Sequence, residues 1–345
     1  MRPPTPPVLR RDRLVHLLER VRNCRLVVVG DVMVDRYLIG DTDRLSPEAP
    51  VPVVMVRETR TALGGAANVA ANVVAAGASC ALIGVAGDDR AGAVLRAELA
   101  AARLDDRHVL TIAGRPTTSK TRVLARGQQV VRIDEEVDSL LEPPDLKALT
   151  ERMLEQLEGA DALLLEDYNK GAMAPSLIKA AITEARHRGM PVVVDPKFRQ
   201  FFDYAGCTVF KPNRRELESA LGAELDLSTH ELLPVALARL KVDNLLVTLG
   251  AEGMVLITRD GTISRIPSLA REVYDVSGAG DTVTAWMGLG LAAGATVREA
   301  AQLATYAAGI EVGKVGVATV RAEEILALHE ERHDQIGRLR RGGLI

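Results

Sequence analysis

Short apolar runs alternate with amphipathic stretches along most of this chain. Residues 26–29, 81–85, 162–165, 192–194, 208–210 and 245–249 are brief and almost wholly apolar. That is the pattern of strands buried on both faces. Between them, residues 66–76, 91–102, 146–157, 175–188 and 231–240 read as helices. Strand and helix alternating at this spacing predict an α/β fold, with a mostly parallel sheet covered by helices on both faces. Ligands of such sheets gather at the carboxyl ends of the strands. Asp31 and Asp35, Glu166 and Asp167, Asp195, Asn213 and Gly250 each follow a predicted strand end, so a site is expected along one sheet edge.

Two segments break the alternation. Residues 51–57 are β-rich and flanked by proline, and residues 118–133 read as two strands around Ala125-Arg126-Gly127. Neither has a helix attached. They are expected to form a small β-sheet standing off the main one, a lid drawn from about residues 36–60 and 115–135. A flap of two or three strands has exposed edges and an exposed face. Val53, Met55, Val130 and Val131 need a surface, and pairing with the same flap of a second copy supplies one, so a homodimer is expected.

Composition narrows the choice of partner. The chain has 345 residues, 47% hydrophobic content and a net charge of −3. That balance speaks against nucleic acid or a membrane surface as the main partner. Length alone permits two domains; the pattern favours one, over residues 11–335, after a proline-rich loose tail at 1–10. Cys24, Cys80 and Cys207 show no metal or redox spacing and read as buried free thiols of a cytoplasmic protein. No apolar run reaches the ~20 residues that cross a bilayer.

The chemistry centres on Tyr274-Asp275-Val276-Ser277-Gly278-Ala279-Gly280-Asp281-Thr282. It follows a strand-like segment at 261–267 and opens a helical run at 282–293. Gly278 and Gly280 allow a tight turn with several N–H groups pointing one way, at a helix N-terminus that favours an anion. Asp281 lies in that first turn. A carboxylate beside a phosphate cradle suits a base that deprotonates a hydroxyl while the amides of Gly278, Ala279 and Gly280 stabilise a transferring phosphoryl group. A Gly-x-Gly alone also marks dinucleotide sites or a plain tight turn. The Walker pattern and the protein-kinase catalytic loop are both absent, and position 283 is Val, so the third dinucleotide glycine is missing too.

Far upstream, Gly64-Gly65-Ala66-Ala67-Asn68-Val69-Ala70 places paired glycines before a helix of small residues. Together, in this order and at this separation, the two motifs resemble the signatures of the ribokinase (PfkB) carbohydrate kinase family. The resemblance runs from about residue 25 to 320. It implies a ribokinase-like three-layer α/β/α fold, an ATP-dependent sugar kinase, and Mg²⁺ with the ATP. It implies that Gly64, Gly65 and Asn68 bind sugar, and that Asp35 accepts a sugar hydroxyl at the end of the first strand, Asp31 lying beside it. Asn213-Arg214-Arg215-Glu216 resembles the family's Asn-x-x-Glu motif, so Asn213 and Glu216 are expected near phosphates and, indirectly, magnesium. The same pair also fits a helix capping box. Thr248, Gly250 and Gly253 match the turn against the nucleotide. Asp275 is expected to hold a monovalent cation, K⁺, as in many family members.

One branch resembles this chain more closely. The runs 44–53, 128–134 and 194–197, and Glu166-Asp167-Tyr168-Asn169-Lys170-Gly171, are similar to the heptose 7-phosphate kinases of lipopolysaccharide-core synthesis. Without a His-x-Gly-His pattern, the stand-alone form of those enzymes is expected. The resemblance implies phosphorylation of the anomeric hydroxyl of D-glycero-β-D-manno-heptose 7-phosphate, with Asp167 and Lys170 at the substrate. Lys170, Lys197, Lys120, Arg122 and Arg126 are the cations available to a sugar phosphate. Ribose, fructose phosphate or a nucleoside remain alternative acceptors. A nucleotide-binding regulator without kinase activity is disfavoured by the presence of Asp281. The basic residues Arg338, Arg340 and Arg341 read as a solvated helix end.

Overall fold

A computed structural model of the chain describes residues 9–270, 273–314 and 316–341, with side chains to residue 332. The first part comprises α1 (Arg11–Val21), β1 (Arg25–Gly30), β2 (Val32–Leu45), β3 (Pro52–Gly65), α2 (Ala66–Ala75), β4 (Ser79–Gly87), α3 (Arg90–Ala101) and β5 (Val109–Ile112). There follow β6 (Ser119–Ala125), β7 (Gln128–Glu135), α4 (Pro143–Gln156), β8 (Ala162–Glu166), α5 (Pro175–His187), β9 (Val192–Asp195), β10 (Val209–Phe210) and α6 (Arg214–Leu221). The last part comprises α7 (Leu232–Leu240), β11 (Asn244–Thr248), β12 (Met254–Ile257), β13 (Ile263–Ile266), α8 (Ala279–Ala292), α9 (Val297–Glu311) and α10 (Ala322–Arg341).

The main sheet has the order β13-β12-β11-β10-β9-β8-β1-β4-β5. Its pairs are parallel from β11 to β5, and only β11–β12 and β12–β13 are antiparallel. The central strands are mostly apolar because both faces are covered. In β1, Leu26 and Val28 enter one core, with Leu14 of α1, Val69 of α2, Trp286 of α8 and Leu303 of α9. Val27 and Val29 enter the other, with Met153 of α4, Ile178 of α5 and Leu233 of α7. This is the three-layer α/β/α arrangement expected. Gly288 brings α8 close to the sheet: a Cβ there would lie 2.3 Å from Leu164 Cδ2 of β8. The close approach sets the depth of the helix whose first turn carries Asp281.

The lid differs from expectation in size and origin. It is a four-stranded sheet, β3-β2-β6-β7. β2 and β3 are antiparallel, β2 and β6 parallel, and β6 turns into β7 through Arg126 and Gly127, both at positive φ. Asp35 does not end the first strand. β1 stops at Gly30, Asp31 makes the joint, and Asp35 lies inside lid strand β2. The lid therefore begins at Val32 and its β3 runs on to Gly65, beyond the expected limits. Polar residues on β2 obscured it: its burial fades from Val32 towards Leu45, as a strand leaving the body does.

Two smaller points concern the termini and the thiols. The expected loose tail at 1–10 falls largely outside the described residues, and Leu9 packs into the core. Side chains of Arg338, Arg340 and Arg341 also lie outside the description. The cysteines are free; Cys24 and Cys207 are buried, and Cys80 is only partly so. Among the described residues, no helix is long and apolar enough to cross a membrane.

Candidate active site

Gly278 takes φ 91° and precedes the first turn of α8. A side chain there would crowd Asn68 Nδ2 at 3.0 Å and Glu311 Oε1 at 3.3 Å, on top of the strain of a left-handed backbone. The turn thus brings the helix start against α2. Asp281, 3% exposed, is held from two sides. Its Oδ2 accepts a hydrogen bond from Asn68 Nδ2 at 2.8 Å and its Oδ1 accepts one from the Tyr168 hydroxyl at 2.7 Å. Burial pushes the Asp281 carboxyl up to about 6, and the bonds from Tyr168 and Asn68 limit the rise. A carboxyl tuned there is ionised at neutral pH yet basic enough to take a proton.

Asn68 is in turn fixed by Asn72, whose Nδ2 donates to its carbonyl and side-chain oxygens at 3.1 and 3.3 Å. The loop before α2 needs its glycines. Gly65 has φ 56°, and a Cβ would lie 2.5 Å from the Asp31 carbonyl; at Gly64 a Cβ would lie 2.7 Å from Asp35 Oδ2. Asn68, which follows the di-glycine loop, therefore meets Asp281.

Asp31 and Asp167 do different work from that expected. Asp31 Oδ2 accepts the N–H of Tyr168 at 2.8 Å and of Lys170 at 2.9 Å, and Oδ1 accepts that of Ala172 at 3.0 Å. Asp167 accepts the N–H of Asn169 at 2.7 Å and the hydroxyl of Tyr204 at 2.9 Å. Burial raises Asp31 and pushes Asp167 up to about 6. Both carboxylates shape the 168–172 loop, in which Asn169 takes φ 55°. That loop presents Tyr168 to Asp281 and carries Lys170, so they are positioning groups here rather than free acceptors for a sugar.

Behind Asp281 lies a second feature absent from the sequence reading. Glu166 ends β8 and Asp195 ends β9, side by side in register. Oxygens of Glu166, Asp195 and Asp281 all lie within 4.8 Å of one another. Lys211, after β10, bonds Asp195 Oδ2 at 2.7 Å, and both are buried. Burial lowers the Lys211 ammonium, but Asp195 and Glu166 outweigh it and hold it raised. Glu166 is fully buried with neither carboxyl oxygen hydrogen-bonded, and burial, then Asp195 and Asp281, pushes it well up. Three converging carboxyls, two of their oxygens unpartnered, are a donor set that fits a hard divalent cation such as Mg²⁺.

A cavity of about 390 Å³ opens from this cluster along the sheet edge. Asn213, Glu216, Thr248, Gly250, Gly253, Ala279 and Gly280 all line it, so the residues expected at a nucleotide share one space. Asn213 and Glu216 form a reciprocal capping box at the start of α6, at 2.8 Å each way. The remaining Glu216 oxygen bonds Lys197 Nζ at 2.5 Å. Both Glu216 oxygens thus have a partner within the protein.

On the lid side, Asp35 is buried and its Oδ1 meets Arg122 Nη1 at 2.5 Å, while the guanidinium lies 5.4 Å from the centre of the Tyr37 ring. Lys170 Nζ bonds Glu136 at 2.7 Å. Arg126 pairs with Asp43 on the exposed lid turn, away from this group. Asp275 Oδ1 accepts the N–H of Ser277 at 2.9 Å, shaping the turn before the cradle. Glu311 ends α9 against Gly278, with neither carboxyl oxygen hydrogen-bonded. Burial, then Asp275 and Asp281, pushes it up to about 8.

Tyr168, Glu166, Asp195, Lys211 and Glu311 were not given roles from sequence. Tyr168 and Glu166 stand within a run that the sequence singled out, and Asp195 at a strand end. Lys211 and Glu311 carry no local signal; only the fold brings them to the site.

Comparison with known proteins agrees with this geometry. Residues 24–324 match the model of the pfkB family of carbohydrate kinases. The bifunctional protein HldE of Rhodospirillum rubrum is 43% identical over 323 residues, covering 92% of this chain and 65% of that protein. HldE of Caulobacter vibrioides is 41% identical over 332 residues, covering 95% of this chain and 68% of that one. The chain thus spans about two thirds of the length of these relatives. Arabidopsis thaliana ribokinase, solved with ribose and ATP, superposes with a TM-score of 0.70 at 22% identity, over 89% of this chain and 98% of that one. Escherichia coli phosphofructokinase-2 with fructose-6-phosphate gives a TM-score of 0.73 at 19% identity, over 90% and 98% of the two chains. Fold, glycine cradle and sequence relatives agree, and the chain belongs to the pfkB family of carbohydrate kinases.

Proposed function

We propose that this kinase transfers the γ-phosphoryl group of ATP to the anomeric hydroxyl of D-glycero-β-D-manno-heptose 7-phosphate, giving the 1,7-bisphosphate. The observation that carries the reaction type is Asp281, fixed between Tyr168 and Asn68 in the first turn of α8. In this reading the acceptor hydroxyl lies against Asp281, which takes its proton, while the N–H groups of Gly278, Ala279 and Gly280 hold the developing charge. Gly64, Gly65, Asn68 and Asp35 hold the sugar. Asn213, Glu216, Thr248, Gly250 and Gly253 hold the nucleotide. Mg²⁺, held by Asp195 and Glu166 and through water by Glu216, would neutralise the phosphates. Asp275 is the candidate for a monovalent cation.

The choice of acceptor rests on the heptose-kinase-like runs and on the cations at the lid. Lys120 and Arg122 project from β6, and Lys170 from the 168–172 loop, which suits a sugar bearing a phosphate remote from the reacting hydroxyl. The same cations favour fructose 6-phosphate as the second reading, ahead of ribose or a nucleoside. ATP consumption measured side by side with heptose 7-phosphate, fructose 6-phosphate and ribose tests this. Preference for ribose would overturn the phosphorylated-acceptor reading.

Met55, Val56, Val130, Val131 and Ile133 are exposed on the lid strands. Exposed apolar side chains on these strands favour a homodimer through the lid. The kinase domain is taken as residues 11–335.

A further inference from the structure

Two lysines from different elements converge on one carboxylate at the lid. Lys120 Nζ, on β6, lies 2.9 Å from Glu136 Oε2, and Lys170 Nζ, on the 168–172 loop, lies 2.7 Å from Glu136 Oε1. Each lysine side chain is only 15% exposed. Lys120 also lies 3.3 Å from Asp134. The group lies on the face of the lid that carries Asp35. Register pairs Asp35 with Lys120 and Tyr37 with Arg122, so Lys120 and Arg122 share the face of β6 that meets Asp35.

Glu136 is exposed, but the segment that carries it is tied down. Arg115 Nη2 donates to the carbonyls of Ser139 at 3.0 Å and Lys170 at 2.6 Å, which straps the segment after β7 to the 168–172 loop. Burial works against an ionised Glu136, but the bonds from Lys170 and Lys120 outweigh it and hold its carboxyl below the usual range. One carboxylate carries a single charge, whereas two half-buried ammoniums suit a phosphate monoester dianion.

We propose that Glu136 stands in the subsite of the acceptor's non-reacting phosphate, occupying Lys120 and Lys170 until a phosphorylated sugar displaces it. This rests on the reading of a sugar-phosphate acceptor. The carboxylate then acts as a specificity device. A dianion outcompetes Glu136 for both lysines; an unphosphorylated sugar offers nothing in exchange, and the lysines stay occupied.

Glu136→Gln keeps the shape and removes the competing charge. Inorganic phosphate is titrated by calorimetry into each protein with saturating Mg²⁺ and a non-hydrolysable ATP analogue, so that the amide cradle is already filled. The variant should bind phosphate about tenfold more tightly, and KM for the sugar phosphate should fall severalfold while KM for ATP stays put. Lys170→Ala, in the same titration, should bind phosphate more weakly than the wild type. Weaker phosphate binding in Glu136→Gln would make Glu136 a strut that positions the lysines and overturn the proposal. Unchanged binding would reduce it to a surface ion pair and overturn it as well. If the wild type turns over no sugar phosphate, the functional reading fails, while the phosphate titration still decides the role of Glu136.

Discussion

The Tyr168 hydroxyl donates to Asp281 Oδ1 at 2.7 Å, across 113 residues of sequence. This bond favours the ionised carboxylate, because a hydrogen bond to the charged form lowers its pKa. Tyr168→Phe should therefore push Asp281 above its value of about 6. The base must be deprotonated to act, so the acidic limb of the kcat/KM profile should move to higher pH, with kcat near neutrality down about tenfold. A profile with an unmoved acidic limb would remove Tyr168 from the tuning of the base.

Asp281→Asn keeps the contacts' shape and removes the proton acceptor. General bases contribute ~10²–10⁴-fold, so turnover should fall at least a hundredfold while nucleotide binding, followed by calorimetry, persists. Turnover near that of the wild type would end the assignment.

Lys170→Ala should separate the two substrates. A charge-assisted contact of ~1.5–3 kcal/mol corresponds to roughly a ten- to hundredfold rise in KM for the sugar phosphate. KM for ATP should move little, because Lys170 does not line the cavity that holds Asn213, Thr248 and Gly250. A rise in ATP KM alone would reassign Lys170 to the nucleotide.

Glu311 links stability to pH. Its folded-state value of about 8 stands above the unfolded one near 4.5. The native state then holds a proton that the unfolded chain releases between these values. The stabilisation is fully present below about pH 4.5 and is lost as pH rises through about 8. Glu311→Gln should flatten that decline and gain on the order of 1–3 kcal/mol at pH 8.5 relative to pH 5, read from urea unfolding at the two pH values. Parallel pH profiles for the two proteins would show that Glu311 titrates normally.

The lid predicts a mass. Light scattering at micromolar protein should give twice the chain mass, and Val131→Glu, which places a charge on the exposed apolar lid surface, should give the monomer. A wild-type monomer would count against the lid as an interface.

The main sheet is legible in the sequence because strands such as β1 and β8, buried on both faces, have apolar interiors at 26–29 and 162–165. β2 is not, because a lid strand half in solvent mixes Asp35, Arg36 and Asp41 among its apolar residues. The cradle and Asp281 are legible for a local reason: glycines at a helix start leave a mark within five residues. The Asp281 environment is not. Tyr168, Glu166, Asp195 and Lys211 reach it from three different strand ends, and no spacing in the chain records that the sheet sets those ends side by side. Asp31 shows the reverse error. An acid at a strand end reads as a ligand, yet its oxygens are consumed by backbone amides, which only the folded loop reveals.

The single residue between β1 and β2 has a mechanical consequence. The lid springs from the body at Asp31, and the same residue's carboxylate grips the amides of Tyr168, Lys170 and Ala172. Its carbonyl also receives the N–H of Ala66 at the start of α2. The β1–β2 joint, the 168–172 loop and the start of α2 thus meet at one residue. Asp31 holds the amide of the residue whose phenol holds Asp281, so any shift of the β1–β2 joint would be carried to the carboxylate through one side chain.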